Sequence, residues 1–220
     1  MEKVSKFGLI LLTLFLVGLL IFAAITELRL MIAVQSDGEL KASRSFQYQY
    51  PLFNILAFLH IIVGLIFLLT GGYQLIPFFR KRFYKTHRVV GRIFLGASLI
   101  VASTAILLGI FYPYGDILES VTSTVFGFYI LVGTYWAYTH ARKRNFVHHQ
   151  KWVIRVYFIA LSVATIRIVA GLGIAITGRS LEEVLGISFV IAFLIHLLAV
   201  ESWIKLRRSQ LRTPLGMGQH

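Results

Sequence analysis

The chain of 220 residues contains no cysteine, which removes disulfide staples, thiolate nucleophiles and cysteine-held metals together. Acid is scarce as well, with 9 Asp and Glu against 22 Lys and Arg. None of the nine lies deep in an apolar run: Glu27 and Glu201 fall near run ends, and the others sit at the N-terminus or between runs. Carboxylate pairs of the kind that relay protons or cations across a membrane are therefore missing. So are HExxH, the Walker A loop, a strand-borne GxGxxG, GxSxG and CxxC, and hydrolase or carboxylate-driven pump chemistry loses its usual signatures.

What the chain does hold is apolar length. It is 57% hydrophobic with a mean hydropathy of +0.78, too apolar for a soluble domain. About 20 mostly apolar residues let a helix cross the hydrocarbon core, and runs of that kind fall at 7–27, 52–79, 89–112, 117–139, 152–177 and 184–204. The expected fold is all-α: a polytopic membrane protein of about six transmembrane helices in one bundle, a single integral domain over 1–220. The first run follows a basic start and could be a signal peptide, but it exceeds an ordinary h-region and Ala23-Ala24 is a poor cleavage context, so a retained helix is expected.

Lys and Arg crowd every second gap. Lys3 and Lys6, then Arg80, Lys81, Arg82, Lys85, Arg88 and Arg92, then Arg142, Lys143, Arg144, Lys151 and Arg155, then Lys205, Arg207, Arg208 and Arg212 all fall on one side. The other side has Arg29, Lys41, Arg44 and Arg179. By the positive-inside rule the basic face, with both termini, is cytoplasmic in a multi-pass inner-membrane protein. The +13 net charge is thus a topology signal that favours anionic phospholipid headgroups and gives no reason to expect nucleic acid. Across the membrane, Phe46, Tyr48 and Tyr50 precede Pro51 at alternating positions, as an interfacial aromatic anchor would.

The residues able to carry chemistry are few. Arg167 lies about 14 Å from the outer end of its run, where a guanidinium needs compensation by an anionic ligand group or by carbonyls and water. His60 falls at nearly the same depth, about 12 Å by the same rise. At the basic side, His87, Arg88 and Arg92 open the third span, and His149, Trp152 and Arg155 the fifth. Arg88 and Arg92 share a helix face, as do His149 and Trp152. Helix N-termini there could hold an anion, or the arginines could form a solvated collar. His87 and His149 each stand seven residues after the start of a basic triplet, a weak repeat that would set them face to face. With His196 in the last span, His87 with His149 and His60 with His196 would make two bis-imidazole haem sites stacked across the bilayer.

Several of these residues carry a resemblance. His60, Gly71-Gly72-Tyr73-Gln74-Leu75, His87-Arg88-Val89-Val90-Gly91-Arg92, Trp136-Ala137, His149-Gln150-Lys151-Trp152-Val153-Ile154-Arg155 and Arg167 resemble the bacterial predicted membrane proteins grouped as domain of unknown function 2306, over a core of about 60–167. Gly-Gly-Tyr-Gln stands here where such proteins show a Gly-Pro-Phe-Gln-like run. The resemblance implies a helical membrane protein and brings no established activity.

The expectation is a membrane protein binding an anionic redox ligand, haem-like (haem b is a candidate) or quinone-like. His60, His87, Arg88, Arg92, His149, Trp152, Arg155 and Arg167 would face the ligand, and His60, His87, His149 and His196 would be the candidate haem ligands. The alternatives are binding or transport of an anionic lipid or metabolite, and a non-catalytic assembly factor.

Overall fold

The computed structural model describes residues 50–206, which are helical almost throughout, with no strand among the described residues. The expected first span at 7–27, Phe46, Tyr48 and the basic tail at Arg207, Arg208 and Arg212 lie outside the described residues. Two compact units divide the chain, Met1–Ile55 and Leu56–His220, and the packing below is that of the second.

The helices are α1 (Pro51–Leu75), α2 (Pro77–Arg82), α3 (Tyr84–Phe111), α4 (Ile117–Arg142), α5 (Phe146–Ala160), α6 (Ser162–Thr177) and α7 (Leu181–Leu206). Five stretches are long and apolar enough to cross a bilayer: α1, α3, α4, α5 with α6 as one span from Phe146 to Thr177, and α7. The protein is therefore an all-α polytopic membrane protein. Helix reaches further into the basic segments than apolar length predicts, to Tyr84 and Phe146, because Lys and Arg are good helix formers once beyond hydrocarbon. The second span is shorter than expected. Pro77 lacks an N–H and disfavours helix at the residue before it, so Ile76 turns extended (φ −78°, ψ 114°) and α2 starts afresh.

Short polar caps set the connections. Asp116 Oδ1 accepts from the N–H groups of Leu118 (3.0 Å) and Glu119 (3.2 Å), and Glu119 Oε2 accepts from those of Gly115 (2.6 Å) and Tyr114 (3.1 Å). This reciprocal capping satisfies orphan donors where α4 begins. On the basic side, α4 turns into α5 through Arg144, at φ 57°, and Asn145 Oδ1 accepts from the N–H of His148.

α4 packs against α3, α5 and α7 and holds the middle of the unit. Close approach rests on missing side chains: a Cβ on Gly109, Gly127 or Gly133 would overlap Ser123, Ile106 or Val156 on the neighbouring helix, the small-residue logic of helix contacts in lipid. Ser98 and Thr134 share a buried hydroxyl–hydroxyl bond of 2.8 Å between α3 and α4. α1 joins through its aromatic and polar side chains. Phe67 stacks on Phe94 of α3 with centroids 4.9 Å apart, and the Tyr157 hydroxyl of α5 donates to the Leu68 carbonyl at 3.1 Å. Outward-facing Phe58, Ile100, Val125, Leu172 and Leu198 are exposed, the surface a bilayer covers.

Candidate functional site at the basic end of the bundle

Several groups expected to face a ligand are held by the protein itself. His60 Nδ1 lies 2.9 Å from Thr104 Oγ1, and that hydroxyl donates to the Ile100 carbonyl at 2.8 Å. The hydroxyl has one proton, so the imidazole must donate to it and His60 is tied to α3. Arg167, half-buried on α6, is not without a partner.

His196 has both of its ring nitrogens engaged by the protein. Nδ1 donates to the Phe158 carbonyl at 2.6 Å, and Nε2 lies 2.9 Å from the Thr165 hydroxyl. The helix breaks between those two residues, at Leu161, where a side-chain donor competing for an i−4 carbonyl is a recognised cause of interruption. His196 braces a break in the fifth span, and no nitrogen is left for iron. The proposed outer haem pair of His60 with His196 falls with it.

Arg155 is also held by the protein. Its Nε and Nη2 donate to Oε1 and Oε2 of Glu201 on α7 at 2.6 and 2.8 Å, a bidentate pair. Its guanidinium carbon also stands 4.7 Å from the centre of the Trp152 ring, within cation–π range. Trp152 is packed against the core beside Tyr129. Arg155 and Glu201 staple α5 to α7. Arg88 and Arg92 are exposed, and Arg88 lies over the Tyr84 ring at 5.9 Å.

What remains is a cluster at the basic end. His87 of α3 lies within electrostatic reach of Arg80 of α2 and His149 of α5, and His149 is within reach of Arg80. Gln74 and Gly91 lie beside His87. Gln74, buried at the end of α1, donates through Nε2 to the His87 carbonyl at 3.1 Å, and a Cβ on Gly91 would stand 3.4 Å from its amide oxygen. His149 Nδ1 lies 2.8 Å from the Ala137 carbonyl. A carbonyl only accepts, so Nδ1 carries the proton and the ring is fixed with its Nε2 lone pair directed elsewhere. Arg80 Nε and His87 Nδ1 are buried with no hydrogen-bond partner among the described residues. Burial pulls the Arg80 guanidinium below its ordinary pKa, yet an arginine stays charged at neutral pH. Buried nitrogens without partners are uncommon in folded proteins, and each asks for an explanation.

A family model described as predicted membrane protein (DUF2306) matches residues 57–204. The chain belongs to that family. No curated protein and no solved structure matches it. The match of this DUF2306 protein reaches beyond Arg167, where the resemblance was expected to stop, and takes in α6 and most of α7 with His196 and Glu201. The HRxxGR segment supplies His87 and the Gly91 that admits Gln74. The HxxWxxR segment supplies His149, Trp152 and the Arg155 that pairs with Glu201. Among the described residues no group of three or more His, Asp or Glu could hold a metal ion. Arg80 escaped the sequence reading because it looks like one more charge in a basic run. Its signal was Pro77, which turns the chain back toward α3.

Proposed function

We propose that this DUF2306 protein is a membrane-embedded binding protein for a small anionic ligand, taken at the basic end of the bundle by Arg80, His87 and His149. The observation that carries the reading is the pair of buried, partnerless nitrogens, Arg80 Nε and His87 Nδ1, in one cluster. The only acid near the basic segments in the described chain is Glu201, and Arg155 holds both its oxygens. An anion accepting from both nitrogens would satisfy the donors and offset their charge.

The test is retention. Full-length protein purified in mild detergent is analysed by native mass spectrometry for bound small molecules, beside Arg80→Gln and His87→Gln. The wild type should carry an anionic adduct that both variants lose. Folded wild-type protein with no adduct, and with no stabilisation by any added anion, would end the reading.

A redox form of the reading has one observation in its favour. His149 donates from Nδ1 to a backbone carbonyl, the arrangement that orients metal-ligating imidazoles and leaves Nε2 to bind. With His87 as second ligand and Arg80 beside a propionate, one bis-imidazole haem would sit at the basic end. Protein expressed with haem supply should then show a Soret band that disappears in His149→Ala, and colourless protein would rule this form out.

A further inference from the structure

Beyond the charge of the ligand, the surroundings of Arg80 speak to where it comes from. α2 is a six-residue helix set between Pro77 and Phe83, too short to be held by its own hydrogen bonds. Aromatic side chains hold it instead. Phe79 stacks on Tyr73 with centroids 4.3 Å apart, and Phe78 meets Phe79 and Phe83 edge-on at 5.6 and 6.0 Å. Phe78, Phe83 and Tyr84 are nonetheless 55%, 46% and 57% exposed. In water that would be an aggregation-prone patch, whereas at the headgroup level of a bilayer it is an aromatic anchor. α2 therefore reads as a segment lying at the membrane interface, apolar rings toward the acyl chains, with Arg80 Nε turned into the protein.

Charge sharpens the point. From Tyr50 to Gly115 there is no acidic residue, while Arg80, Lys81, Arg82, Lys85, Arg88 and Arg92 all fall in that stretch. Nothing on α1, α2 or α3 can serve as the counter-anion, so it must come from outside those helices. At this depth the abundant anion is the phosphate of a phospholipid, and clusters of Lys and Arg next to a span attract it.

We propose that the site is a phospholipid-headgroup site: one anionic lipid seats its phosphate between Arg80 Nε and His87 Nδ1, with its acyl chains passing along Phe78, Phe83 and Tyr84. This rests on the anion-binding reading above and specifies the ligand's class. It differs from a diffuse headgroup attraction because two particular nitrogens, and not the number of charges, carry it.

The experiment puts the full chain into nanodiscs of phosphatidylcholine alone or with phosphatidylglycerol, and counts lipids surviving detergent extraction by native mass spectrometry. Wild-type protein should retain about one phosphatidylglycerol, with retention falling about tenfold in Arg80→Gln and in His87→Gln. Lys85→Gln removes one exposed charge from the same end and should retain lipid as the wild type does. Equal loss in Lys85→Gln would overturn the proposal in favour of a diffuse collar. Inorganic phosphate or a soluble carboxylate stabilising the detergent-purified protein through Arg80, with no lipid retained, would overturn the lipid assignment and leave the anion site standing. Absence of any effect in either arm would remove both. Thermal unfolding of each variant in detergent confirms folding, and if Arg80→Gln does not fold, His87→Gln alone decides.

Discussion

At the scale of single residues, the histidines divide by what their ring nitrogens touch. His196 bonds on both sides, to the Phe158 carbonyl and the Thr165 hydroxyl, so its loss should be structural. Replacing it by Leu leaves a carbonyl at the Leu161 break without its donor, and polar contacts of this kind inside bundles are worth about 0.6 to 2 kcal/mol. We expect His196→Leu to lower the unfolding midpoint in detergent while ligand retention at Arg80 is unchanged; unaltered stability would contradict the brace. Arg144 offers the opposite case. It holds a left-handed φ of 57° in the turn between α4 and α5 and is exposed, a conformation costing a residue with a Cβ about 1 kcal/mol that glycine avoids. Arg144→Gly should raise the unfolding midpoint, read by thermal denaturation with ligand retention as a control.

At the scale of elements, two contacts between helices are predicted to matter most. Gly71 of α1 faces the Tyr157 ring of α5 and the Phe94 ring of α3 so closely that a Cβ there would overlap both. Gly71→Ala should therefore cost about 1 to 3 kcal/mol as an overpacking change, and a compensating Tyr157→Leu should recover part of it; additive losses would show that the rings are not the obstacle. The Arg155–Glu201 staple between α5 and α7 behaves differently. Removing one partner leaves a charge partly buried and unpaired, costing about 3 to 5 kcal/mol at full burial and less here, whereas removing both together costs less than the sum. A double-mutant cycle with Arg155→Met and Glu201→Met reads that coupling. These elements also mark what the sequence made legible. A span announces itself because 20 apolar residues in a row are a local property, and the five described apolar stretches overlap the second to sixth runs, with α1 ending earlier at Leu75 and α3 and α5 starting earlier at Tyr84 and Phe146. Pro77, though visible in the sequence, lay inside a run whose hydropathy masked the break between α1 and α2. The partners of Arg155 and of the Leu161 break stand 46 and 38 residues away, and no local pattern records such a pairing. For the same reason Arg155 looked available. Only a comparison of depths, placing Glu201 level with Arg155 near the basic end, could have suggested that pair.

At the scale of the whole molecule, the helices alternate in direction through short turns, so basic and non-basic connections must lie at opposite ends of the bundle. The α1–α3 and α4–α5 connections carry Arg80 to Lys85 and Arg142 to Arg144, while the α3–α4 turn carries Asp116, and the α6–α7 turn Arg179 followed by Glu182 and Glu183. The absence of native cysteine makes this arrangement testable one thiol at a time. Lys85→Cys, Lys143→Cys and Arg179→Cys each replace an exposed residue and introduce the chain's sole thiol. In intact cells an impermeant maleimide should label Arg179→Cys alone, and the other two should react only after permeabilisation, as expected when Lys- and Arg-rich loops stay on the cytoplasmic side. Labelling of Lys85→Cys and Lys143→Cys from opposite sides would break the alternation, and with it the placement of Arg80, His87 and His149 at one end. Labelling of that pair from outside, with Arg179→Cys protected, would invert the protein and set the anion site in the outer leaflet. The cluster's chemistry would survive that inversion; its access to cytoplasmic ligands would not.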